Sequence, residues 1–250
     1  MVTTADSSSA LRTVLLALTV AIVGLVVGSI LTLVAALAAF AVGLTQPTVL
    51  IVLAVVFTQG VAFGGVALVF LRRSGLGASF VPVRVPTLRD LLWVVGGYVL
   101  AFAAVAVGAS LVLGTGADPA SNQVSQLGME NPEVLLVLIP LSFLLVGPGE
   151  ELLFRGVVQG LLRRVFGPVV GVTLASAIFA AIHWFALTGG AGARLATIGI
   201  LFFPSMVFGG VYERTGNIAV PALIHGAYNA TLFAAFYGAL RFGEMPAILA

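Results

Sequence analysis

Predominantly apolar stretches follow one another along the whole chain, and a helix of about 20 such residues is enough to cross the hydrocarbon core of a bilayer. They run over about Thr13 to Leu44, Val49 to Leu71, Leu91 to Leu113, Val134 to Leu162, Val169 to Leu187, Ala193 to Val211 and Ile218 to Phe242. Of the 250 residues, 60% are hydrophobic and 8% charged, against roughly 25% charged in an average soluble domain. The pattern predicts an all-α, polytopic transmembrane helical bundle of about seven to eight spans, integral to the cell membrane. The first stretch follows a short polar tail, Met1 to Arg12. Its length far exceeds the roughly 7 to 15 apolar residues of a signal peptide, so an uncleaved, tilted span is expected.

Residues 1–130 read as N-terminal membrane helices and residues 131–245 as the part that carries the polar motifs, within one membrane domain. The longest loops, Arg72 to Asp90 and Thr115 to Glu133, are too short for a soluble domain. Most arginines fall in alternate loops: Arg72, Arg73, Arg84 and Arg89 in one, Arg163 and Arg164 in the next, Arg214 in a third. By the positive-inside rule the N-terminus is cytoplasmic and the C-terminus outside, with Arg194 and Arg241 against the trend. The net charge of +2 comes from too few, too scattered arginines for a nucleic-acid partner. Membrane lipid and a hydrophobic or lipid-associated peptide are the partners expected; nothing in the sequence specifies an oligomeric state. There is no cysteine, which excludes disulfides and a thiol nucleophile. Lysine is absent too, a bias that suggests a GC-rich prokaryotic genome.

Against this apolar background a few polar residues stand out, since an ionisable group at membrane depth costs roughly 2.5 to 3.5 kcal/mol on insertion scales. Glu150 and Glu151 follow Gly147-Pro148-Gly149, where a kink or helix restart is expected to leave freed amides near Glu150. Glu151 and Arg155 have the spacing of an intrahelical ion pair, and Glu150 points about 100° away. Phe179 and His183 share a helix face, as do His225 and Asn229. Taken singly, each group also reads as structure: a paired acid, a core histidine, polar glue between helices. Measured along each helix from the arginine-bearing loops, Glu150, His183 and His225 lie about 21, 22 and 16 Å deep. Similar depths are what a shared buried site requires.

Glu-Glu-x-x-x-Arg, then Phe-x-x-x-His, then His-x-x-x-Asn, each on an apolar helix, resembles the CAAX protease and bacteriocin-processing (CPBP) family of intramembrane endopeptidases. The resemblance covers about Gly147 to Leu232. It implies that Glu150 is the general base that activates water, that His183, His225 and Asn229 complete the site, and that Glu151 and Arg155 support it, with Phe179 beside His183. It also implies a hydrated intramembrane cavity, reached from the inner half of the bilayer or laterally. No cofactor is certain: His183, His225 and Glu150 would also make a two-histidine, one-carboxylate set for a divalent metal such as zinc, but the His-Glu-x-x-His helix motif is missing.

Other intramembrane proteolytic schemes fit less well, because no nucleophilic-serine elbow accompanies either histidine and Asp6, Asp90 and Asp118 all fall in tails or loops. Two further classes stay open, a proton-coupled transporter in which the acids titrate and a non-catalytic scaffold in which the polar set fixes helix packing.

Overall fold

The computed structural model describes residues 7–243, so Asp6 and the start of the polar tail lie outside the described residues. The described chain is helical almost throughout. Helix α1 (Ser7–Ala41) begins inside the stretch expected to be a tail, and α2 (Pro47–Arg73) starts on a proline, whose missing amide costs nothing in a first turn. Helix α3 (Leu88–Leu113) opens on a capping box between Thr87 and Asp90. Asp90 is therefore a buried residue in the first turn of a helix, paired with Arg84, rather than a loop residue. A short helix, α4 (Gln123–Glu130), is capped by the Asn122 side chain, which accepts from the Ser125 amide at 2.7 Å.

Among the described residues six helices are long and apolar enough to cross a membrane. One of them, Glu133–Ala186, runs for 54 residues, about 80 Å of helix and more than twice what a bilayer needs. It is broken at Gly167, whose φ of 77° and ψ of 173° are open only to glycine. Beyond it the chain doubles back so tightly that a Cβ on Gly171 would lie 2.7 Å from the Arg163 backbone. The tract is thus two antiparallel helices, α5 (133–166) and α6 (168–186). With α7 (Ala191–Thr215) and α8 (Ala219–Phe242) the bundle has seven crossings, within a few residues of those expected.

The loops sort onto two ends. At one, Arg163 pairs with Glu213 at 3.2 Å, Arg164 lies over Phe80, and the Ile218 amide donates to the Pro82 carbonyl at 3.0 Å. At the other, the loop before α4 meets the loop after α6, with the Ala120 and Thr188 amides donating to the Ala193 and Ser121 carbonyls. The two arginines that break the trend are held there: Arg194 donates to the Gly189 and Trp184 carbonyls, and Arg241 pairs with Glu133.

Lipid offers no hydrophobic drive between helices, so close approach and polar contacts hold the bundle. A Cβ on Gly97 would lie 2.5 Å from Ile224 and one on Gly108 2.6 Å from Phe203, bringing α3 against α8 and α7. Tyr98 and Thr231 share a hydrogen bond of 2.8 Å, and Thr32 and Thr58 one of 3.1 Å. Two helices also carry widened π-helical turns, at Val56–Phe63 in α2 and at Ser142–Val146 and Leu152–Gln159 in α5. Such turns cluster at functional sites, and these three surround the paired glutamates.

Candidate active site

The sequence leads one to expect a break at Gly147-Pro148-Gly149, and α5 instead passes through it in helical conformation, with Gly147 at φ −55° and ψ −55°. The π turn before it reconciles the proline with the helix: the Gly147 amide reaches back five residues to the Ser142 carbonyl. No freed helix-terminal amides therefore hold Glu150. The glycines serve close packing, since a Cβ on Gly147 would lie 2.5 Å from the Ala222 carbonyl oxygen, and one on Gly149 would overlap the carbonyl of Gln59. This is how α2 and α8 come to lie against the turn that carries the acids.

Both glutamates point into the bundle, and His225 from α8 sits between them. Its Nδ1 lies 2.8 Å from Glu151 Oε1 and its Nε2 3.8 Å from Glu150 Oε2. Glu150 and His225 are 7% and 4% exposed, and Glu151 is fully buried. A carboxylate only accepts, so Nδ1 of His225 carries the hydrogen of that bond and Nε2 is the nitrogen presented to Glu150. Glu151 also pairs with Arg155 at 3.2 Å, the ion pair its spacing predicts. Arg155 then donates to the Ser205 hydroxyl and carbonyl on α7, at 2.9 and 3.1 Å. Its guanidinium lies over Phe179 at 4.5 Å and over Phe208 at 5.5 Å. A buried cation without such partners would be strongly unfavourable, and here it is met by one acid, two oxygens and two aromatic faces.

Phe179 links the two imidazoles. Its ring meets His183 edge to face at 4.8 Å and His225 at 5.8 Å, while Phe208 stacks on His225 at 4.9 Å. His183 Nδ1 donates to the Phe179 carbonyl at 2.8 Å, which leaves Nε2 as its outward nitrogen. Asn229 lies one turn beyond His225 and is half-buried. His183 and Asn229 are thus the site residues that reach the molecular surface, while the acids and His225 are enclosed. The residue after His183 offers its carbonyl to Arg194, so this side of the site lies near the arginine-poor end.

Gln59 was not foreseen. Its Nε2 donates to Glu150 Oε1 at 3.4 Å, so the N-terminal helices contribute a contact to the site rather than merely compatible spans. Ser205 and Phe208 on α7 were missed as well. None of the three lies in a motif, and only proximity in space shows them. Among the described residues no group of three or more histidine or acidic side chains gathers as a metal-ligand set.

Buried carboxylates flanking an imidazole, inside a bundle of membrane-crossing helices, define an integral membrane protein with an intramembrane acid–histidine centre. Residues 132–231 match the family model described as Type II CAAX prenyl endopeptidase Rce1-like. That segment contains all three motifs, and the match supports a CAAX protease of the CPBP family. No match was found among curated proteins or among solved structures.

Proposed function

We propose that the protein is an intramembrane endopeptidase that hydrolyses a peptide bond in a hydrophobic or membrane-associated peptide, using a water activated by Glu150. The observation that carries this reading is the His225 imidazole held between two buried carboxylates, with Glu151 taken up by Arg155 and Glu150 left without an ion-pair partner of its own apart from that ring. Glu150 takes a proton from water as it attacks the carbonyl carbon and returns it to the departing amine. His225 and His183, each with Nε2 protonated in addition to Nδ1, and the Asn229 amide supply donors for the oxyanion. Glu151 fixes the tautomer and orientation of His225 and balances its charge when the ring is doubly protonated. The continuous helix through Glu150 lacks the interrupted spans on which a carrier reading leans.

The test is cleavage of a hydrophobic peptide library by the purified protein in detergent, compared with Glu150→Ala and His183→Ala. Both variants are expected to lose at least about a hundredfold in rate. Full activity in either would reject its assigned role. A chelator in the same assay is expected to leave cleavage intact, and loss that zinc restores would show that a metal takes part. Proton flux in liposomes without any cleavage would favour a carrier.

A further inference from the structure

Gln59 lies outside the matched segment and outside all three motifs, yet it touches the proposed base. Its π-helical turn is pressed against α5 so closely that Gly149 has no room for a side chain. The orientation of its amide follows from chemistry: facing a carboxylate, the side chain must present its NH2 group, which turns Oε1 away. That Oε1 is one of five buried side-chain atoms without a hydrogen-bond partner among the described residues, and it is the one whose own side chain donates to Glu150. A buried acceptor left unpaired carries a desolvation cost that a donor brought into the site relieves.

We infer that Gln59 is a further catalytic residue, which holds Glu150 through Nε2 and accepts a hydrogen bond from the attacking water through Oε1. The inference rests on the endopeptidase reading. The water has two hydrogens: one goes to Glu150 as the oxygen bonds to the carbonyl carbon, and the other, directed at Gln59 Oε1, stays on the oxygen that becomes part of the product acid. The C–N bond then breaks, and the amine leaves with the proton that Glu150 had taken. With both hydrogens turned to the protein, the two lone pairs of the oxygen face the opposite side, where the substrate carbonyl approaches. Positioning of this kind converts a mobile nucleophile into an aligned one.

The experiment uses the full chain in detergent with a peptide that the unsubstituted protein cleaves, and reads kcat, KM and thermal unfolding for Gln59→Met, an apolar side chain of similar length. The expected result is a fall of about a hundredfold in kcat with KM and unfolding temperature unchanged. Gln59→Asn, which keeps the amide but shortens its reach, is expected to behave likewise and serves if the methionine variant does not fold. Unchanged kcat, or a rise in KM alone, overturns the role of Gln59. If Glu150→Ala is inactive in the same assay while Gln59→Met is fully active, only the Gln59 inference fails. If the unsubstituted protein cleaves nothing, the peptidase reading fails and takes this inference with it.

Discussion

Arg155 shows how one residue can be expensive and still required. Fully buried, it answers Glu151, Ser205, Phe179 and Phe208, which come from three different helices. Removing it leaves Glu151 as an uncompensated charge. Arg155→Met is expected to destabilise the protein by about 3 to 5 kcal/mol, measured by denaturant unfolding in mixed micelles. Adding Glu151→Gln to the same chain is expected to recover part of that stability, since no lone charge then remains, but not the activity, because a neutral amide no longer balances a protonated His225. A double variant as active as the original protein would remove Glu151 from the mechanism. Glu151 and Arg155 were legible from their spacing of four. Ser205 and Phe208 were not, because a serine or a phenylalanine in an apolar helix carries no signal of its own.

Between elements, glycines set the distances. Gly149 lets α5 meet the Gln59 backbone on α2, and an added methyl there has no flexible neighbour to displace. Gly149→Ala is expected to cost at least about 1 to 3 kcal/mol and to lower peptide cleavage, because the α2–α5 contact and the Gln59–Glu150 bond must separate together. Gly64→Ala, where a Cβ meets nothing within 4 Å, is the matched control and is expected to leave both unchanged. Gly167→Ala acts differently, since the cost there lies in backbone conformation: about 1 to 3 kcal/mol from forcing a Cβ into a region open to glycine. Its effect is expected on unfolding more than on catalysis, because the turn lies at the arginine-rich end. The break expected at Gly147-Pro148-Gly149 failed for a related reason. Local rules weigh a proline against a regular α-helix, and the π turn that accommodates it depends on packing with α2 and α8.

At the scale of the molecule, the arginine loops meet at one end, and the positive-inside rule assigns that end to the cytoplasm. The chain has no cysteine, so single introduced thiols report topology cleanly. Ser74→Cys, at the arginine-rich end, is expected to resist a membrane-impermeant maleimide added to intact cells, and Thr115→Cys to react with it. The reverse pattern would invert the orientation. Because His183 lies near the arginine-poor end, that assignment would open the site toward the outer side, whereas the sequence leads one to expect access from the inner half or laterally. The sequence by itself determined the class, a count of about seven to eight spans and the three polar motifs, since run length and charge placement are local properties that lipid enforces segment by segment. Only the tertiary structure decided that His225 stands between the two acids, that Phe179 joins the imidazoles, and that Gln59, 91 residues before Glu150, reaches it. Those contacts arise where helices distant in sequence approach one another, and helix-to-helix distance is set by small residues and widened turns whose effect appears only once the partners are in place.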